Sequence, residues 1–150
     1  MKSLFDSSTR EELISRMQGL HEGSAAKWGR MNAYQMLKHC ALAHEMILHN
    51  QIHPRAFMGR LLGRVLLKNE VKDDRPMRQG NPTIPALKVN ETTGDFGTEK
   101  SRCIGLLHDY ARYALPDNSF VHPFFGKMTR EEIGRHAYKH TDHHLRQFGC

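Results

Sequence analysis

The chain has 150 residues, 39% of them hydrophobic and 25% charged, with a formal net charge of +6. That composition is neither disordered nor fibrous, and the length suffices for one domain, spanning 1–150, with a core of its own. The opening Met1–Asp6 has no signal-peptide run, no stretch approaches a membrane span, and three scattered cysteines (Cys40, Cys103, Cys150) make no disulfide framework, so a reducing cytoplasm is expected.

Ser8-Thr9-Arg10-Glu11 reads as a capping box opening a first helix, with Leu13, Met17 and Leu20 on one stripe. Asn32, with Gln35 three residues on, opens a second, and Met31 and Met36 are spaced as a hydrophobic staple. Met36, Leu37, Cys40, Ala43 and Ile47 then recur at helical spacing. After Pro54 a shorter amphipathic piece uses Phe57, Met58, Leu61, Leu62 and Val65 as its apolar face. Residues 70–97 contain Pro76, Pro82, Pro85, Gly80, Gly94 and Gly97 without a sustained period, which predicts a long irregular connection.

A third main helix is expected from Thr98 to Ala114, burying Cys103, Ile104, Leu107, Ala111 and Ala114 before a turn at Leu115–Asn118. Pro123 argues against a strand at Val121–Phe125. Thr129 and Glu132 form another capping box, Met128 and Ile133 a staple, and the last helix runs to Gly149. Four main helices and no hairpin signal predict an all-α fold. The architecture expected is a four-helix bundle with the irregular loop between its second and third main helices.

The charge is uneven. Arg55, Arg60, Arg64, Lys68, Lys72, Arg75 and Arg78 stand against Glu70, Asp73 and Asp74. Such a basic 55–78 segment suggests nucleic acid. It offers only Phe57 for a base to stack on, so a solvated helix face continuing into a polar loop is the expected reading.

Histidine is the unusual component, with 11 residues, four of them between His136 and His144. On a helix turning ~100° per residue, His136, His140, His143, His144 and Gln147 fall within an arc of about 100° shared with Ile133. His140 and His144 stand four apart, close enough for both imidazoles to reach one ion, as in a two-ligand clamp for a metal such as zinc. Hydrogen-bonded polar filling is the plain alternative. Crowding of neutral imidazoles favours the metal, because cationic ones repel. A further ligand must come from elsewhere. The second helix offers His39 at the edge of its apolar face and His44 inside it; His108, Asp109 and His122 are other candidates, and spacing does not choose among them. Cys40 adjoins His39 but points towards the apolar face, as a packed cysteine does.

The segment Trp28-Gly29-Arg30-Met31-Asn32-Ala33-Tyr34-Gln35-Met36-Leu37-Lys38-His39-Cys40 resembles the second-helix signature of the DinB/YfiT-like superfamily. His122-Pro123-Phe124-Phe125-Gly126-Lys127-Met128-Thr129, with His140-Thr141-Asp142-His143-His144-Leu145-Arg146-Gln147, is similar to one uncharacterised bacterial branch of it. The resemblance implies a four-helix bundle in which three histidines hold a divalent metal, often zinc or nickel. Matched on the motifs, His39, His140 and His144 take those roles, and Gln147 follows the second of the pair. His136 and His143 depart from the pattern and, with His44, are possible substitutes.

Three imidazoles on such an ion leave positions for water or substrate. Hydrolysis of a small molecule, or thiol transfer using a low-molecular-weight thiol, would follow. The resemblance implies the second, and a homodimer is plausible from it. No GxSxG elbow or serine triad is present. Gln147, Asp109 and Glu45 are candidates to orient the ligands, and Arg55, Arg60 or Arg64 to meet an anionic substrate. The alternative is a non-catalytic module that binds metal, or nucleic acid through the 55–78 segment.

Overall fold

Two reciprocal caps define the helices that matter most. The Asn32 side chain accepts from the Gln35 amide at 2.9 Å, while the Gln35 side chain accepts from the Asn32 amide at 3.1 Å. Thr129 and Glu132 repeat the exchange at 3.2 and 2.9 Å. Caps of this kind contribute about 1 kcal/mol each by satisfying amides that the helix itself cannot. They open α2 (Ala33–Leu48) and α5 (Arg130–Gln147), and Gly149 at φ +81° closes the latter.

The computed structural model describes residues 1–150 and is predominantly helical. It adds α1 (Ser7–Gln18), α3 (Phe57–Val71), α4 (Phe96–Asp109) and short turns at Pro85–Leu87 and Tyr110–Arg112. The capping box expected at Ser8 and Glu11 does not form. Asp6 occupies the cap position, its carbonyl accepting from the Arg10 amide, so Ser8 already lies within the first turn. α4 also stops five residues short of Ala114. Tyr110 is drawn wholly into the core and the backbone tightens there, leaving Ala111 and Ala114 exposed.

A small hairpin corrects the reading of Pro123. β1 (Val121–His122) pairs antiparallel with β2 (Gly126–Lys127), Val121 opposite Lys127 and His122 opposite Gly126. The proline follows the strand instead of interrupting it, so no ladder amide is lost. Its carbonyl accepts from the Ala56 amide at 3.0 Å and from Arg55 Nε at 3.2 Å, tying the hairpin to the start of α3.

α3 is the larger departure. It continues to Val71, shortening the irregular connection, and its apolar face is turned to solvent. Phe57, Met58, Leu61, Leu62 and Val65 are exposed, while Gly59, Gly63, Leu67 and Val71 are buried. Residues four apart form rows along a helix. Here the Gly59–Gly63–Leu67 row faces inward, because only glycine lets the helix backbone approach the Phe124–Phe125 backbone so closely.

One cluster of 28 buried hydrophobic residues forms the core, drawn mainly from α1, α2, α4 and α5, with α2 packed most extensively on α4. Met36, Leu37, Cys40, Ala41, Met46 and Ile47 of α2 are its spine. Each large side chain so buried contributes roughly 1.5–3 kcal/mol. Charged clasps sit around it: Arg16 of α1 on Asp142 of α5 at 2.7 Å, and Arg102 of α4 on Glu45 of α2 at 2.7 Å. No helix is long and apolar enough to cross a membrane, and the three cysteines are free.

The glycine row gives a direct expectation. Alanine normally favours a helix over glycine by about 1 kcal/mol. At Gly59 or Gly63, however, an added Cβ runs into the Phe124 carbonyl oxygen. Gly59→Ala and Gly63→Ala are each expected to destabilise the protein by roughly 1–3 kcal/mol in urea unfolding, the overpacking cost prevailing. Unchanged or raised midpoints would show that α3 is not seated on that backbone.

Candidate metal centre

α5 carries its polar residues where a helix normally carries core. His136, Lys139, Thr141, Asp142, His144 and Gln147 are all buried, and His140 is partly accessible. His140 and His144 project four apart towards His39 of α2. The three residues bring one ring nitrogen each within 4.8 Å of the others. Between His39 and His140 the two Nε2 atoms are 3.0 Å apart.

The outer nitrogens explain the inner ones. His39 Nδ1 donates to the Leu87 carbonyl at 2.9 Å, which leaves a lone pair on its Nε2. His144 Nδ1 donates to Gln147 Oε1 at 2.9 Å, and Gln147 is itself oriented by donating from Nε2 to the Trp28 carbonyl at 2.8 Å. Two of the three rings are thus held in the tautomer that aims Nε2 inward. Burial pushes all three pKa values down, His144 to about 3, and the neighbouring imidazoles push His140 down further. Neutral, convergent imidazoles with their second nitrogens engaged form a donor set suited to a borderline divalent cation.

The remaining histidines are occupied differently. His44 donates from Nε2 to Thr141 Oγ1 at 3.0 Å and accepts at Nδ1 from the Tyr110 hydroxyl at 3.1 Å; Thr141 in turn donates to the Ala137 carbonyl. Both of its nitrogens are used, so its place on the apolar face makes it a bridge inside the core. His136 Nδ1 lies 2.6 Å from Glu70 Oε1 of α3. His143 stands edge-on to Trp28, ring centroids 5.6 Å apart. His122 accepts two amides, from Phe124 and Phe125, at 3.1 Å each. His108 is exposed, near Glu11.

A cavity of about 820 Å³ opens beside the three histidines, and His122, His136 and His143 also line it. That is ample for a small molecule. Ile84, Phe124, Phe125 and Met77 supply apolar wall. The arginines at it are Arg30, Arg75 and Arg78, which corrects the expectation of Arg55, Arg60 or Arg64. Arg55 donates to the Pro123 and Gly59 carbonyls and Arg64 pairs with Glu132 at 2.8 Å, both outside the cavity lining. Glu45 is taken by Arg102 and Asp109 by Arg112, so of the expected orienting residues only Gln147 touches a ring of the cluster. The Leu87 and Trp28 carbonyls were beyond sequence reasoning, since a backbone oxygen leaves no signature. Glu70 does leave a signal in the sequence. It is the one acid within α3 and falls on the inward side.

A pH dependence of stability follows from His44. Burial holds its pKa near about 3, against 6.5 ordinarily, so the folded protein keeps it neutral while the unfolded chain takes up a proton below 6.5. Its contribution is therefore complete above pH 6.5 and is lost as pH falls towards 3, at roughly 1 kcal/mol per pH unit. Replacing it by a side chain that does not titrate, His44→Gln, is expected to flatten the fall in urea-unfolding stability between about pH 6 and pH 4 by about that slope. An unaltered slope would place the acid sensitivity elsewhere.

No curated protein and no solved structure matches the chain. A family model does, across residues 3–149, and by that match the chain belongs to the family described as "Protein of unknown function (DUF1569)".

Proposed function

We propose that His39, His140 and His144 hold one divalent cation, zinc or nickel, and that the protein is a metal-dependent enzyme acting on a small molecule in the adjoining cavity. The supporting observation is the approach of two Nε2 atoms to 3.0 Å when the His39 ring already spends its proton on Leu87. Without a metal, His140 can meet this acceptor by donating from its own Nε2; a shared cation would take that proton's place and draw in the third ring. On this reading α1, α2, α4 and α5 form a DinB-like four-helix bundle within a single 1–150 domain, with α3 as an added wall.

A bound ion would supply Lewis acidity towards water or a thiol. The chain's own residues do the rest. Gln147 and the Leu87 carbonyl keep His144 and His39 in the ligating tautomer. Glu70 orients His136 at the cavity wall, where its ring can contact a bound substrate. The apolar walls bind the body of the substrate and exclude water. Thiol S-transfer, with a low-molecular-weight thiol as co-substrate, and hydrolysis are the two chemistries this site suits. The nucleic-acid alternative fits less well, because Arg55, Arg64 and Arg75 of the basic segment are already bonded to carbonyls or carboxylates.

Elemental analysis of protein purified without a histidine tag tests the reading. About one zinc or nickel per chain is expected, and none in a folded His140→Ala/His144→Ala variant. Chelator-sensitive thiol consumption with electrophiles, or chelator-sensitive ester or amide hydrolysis, would then separate the two chemistries. A protein that neither carries nor takes up metal near neutral pH sinks the proposal; one that binds metal but turns over nothing leaves a non-catalytic module. Gln147→Leu, which removes the His144 acceptor, is expected to weaken metal binding by roughly 10–100-fold in a competition titration while circular dichroism stays unchanged.

A further inference from the structure

Two of the chamber's histidines lie outside the proposed metal centre, and each keeps one nitrogen free. His122 and His136 are only 6% and 7% exposed, with ring centroids 5.4 Å apart. His122 Nδ1 accepts the Phe124 and Phe125 amides, so the proton of the neutral ring sits on Nε2. Burial holds the His122 pKa well below the ordinary 6.5, which keeps the ring neutral and its Nε2 a donor. His136 Nδ1 is engaged by Glu70. Neither Nε2 has a protein partner. The Tyr113 hydroxyl is the only sealed side-chain atom in that condition, so both nitrogens open to the chamber they line. Phe125 stacks on His122 with centroids 4.7 Å apart and meets His136 edge-on at 5.1 Å, which fixes both rings.

We infer that this corner of the chamber is a subsite for a carboxylate, with His122 Nε2–H as its fixed donor, and that the substrate is a small organic acid. The charge of the walls supports that class. Arg30, Lys72, Arg75, Arg78 and Lys139 line the chamber against Glu70 and Asp73 alone. Asp73 is paired with Arg75 at 2.7 Å and Glu70 with His136 at 2.6 Å, so neither neutralises the remaining cations. Lys139 is buried with only the Glu70 and Asp73 carbonyls as acceptors, and Arg30 and Arg78 are exposed without a carboxylate partner. A cleft lined by one sign of charge draws in an anion. A carboxylate then gives the buried N–H a charge-assisted bond. A neutral amide or alcohol would answer His122 but none of these cations.

The spacing of the rings limits the size of that acid. His136 is 5.4 Å from His122 and 6.1 Å from His140, centroid to centroid, so at most two ring spacings separate the anchor from the three-histidine cluster. A substrate that spans both carries its reacting group only a few bonds from its carboxylate. That the acid is the substrate rests on the function proposed above, whereas its binding at His122 does not need the metal.

Ligand-observed NMR titrations with benzoate, hexanoate and phenylpropionate, each beside its primary amide, test the inference on the full chain with and without a chelator. At least one acid is expected to bind about tenfold or more tighter than its amide. His122→Asn keeps an oxygen for the Phe124 and Phe125 amides but removes the Nε2–H donor. It should cost about tenfold in acid affinity while circular dichroism stays unchanged. The double variant Arg30→Gln/Arg78→Gln should weaken binding less and flatten its salt dependence. Chelator-treated protein and the folded His140→Ala/His144→Ala variant should still bind the acid, so failure of the metal reading leaves this subsite standing. Amides that bind as well as acids, or an acid affinity unchanged in His122→Asn, overturn the inference. So does the absence of binding by any of the acids at about 10 mM, an affinity too weak for a built subsite. Binding abolished by chelator would also overturn it and make the carboxylate a metal ligand instead.

Discussion

Burying an imidazole in a protein interior is acceptable only if the ring is neutral and both nitrogens find something to do. This chain buries His39, His44, His122, His136 and His144 around one helix, and the fold is organised to meet that demand. His44 is satisfied wholly by the core, through Tyr110 and Thr141. At Nδ1, His122 is satisfied by the hairpin backbone. For His39 and His144, one nitrogen is answered by protein and the other is presented to its neighbours. The difference between a structural and a functional histidine here is which nitrogens the surroundings leave free.

The elements outside the core earn their places through the same requirement. The irregular connection after α3 brings the Leu87 carbonyl to His39, and the segment before α2 brings the Trp28 carbonyl to Gln147. α3 brings Glu70 to His136. Lys139, on the same helix, is held by the Glu70 and Asp73 carbonyls. Loops that contribute little to the 28-residue cluster thus fix the orientation of the polar face of α5.

Much of this was legible in the chain. The two caps at Asn32 and Thr129 formed as their spacing implied, because capping is a contact between residues three apart and needs no tertiary information. The inward arc of histidines on α5 was legible for the same reason, being a property of one helix. Periodicity puts His44 inside the apolar face of α2 and His39 at its edge, and both are buried; what it does not encode is the Tyr110 hydroxyl that engages one and the Leu87 carbonyl that engages the other. The apolar face of α3 was legible as amphipathic periodicity, but which side faces inward was not. The Gly59–Gly63 row, which permits a backbone-to-backbone seat, outweighed five larger apolar residues. Pro123 was misread because a turn proline and a strand-breaking proline look alike until the pairing register is known.

Gly29 stands outside all of these contacts, yet its backbone is left-handed at φ +81°, and a Cβ there would lie 2.6 Å from Gln147 Nε2. Gln147 reaches past it to the neighbouring Trp28 carbonyl and, through its other end, fixes the ring of His144. The rim of the chamber and His144 are therefore joined through a single amide group. The path from the Trp28–Gly29 bend to an imidazole on another helix thus runs through two hydrogen bonds of one side chain and not through the packed core.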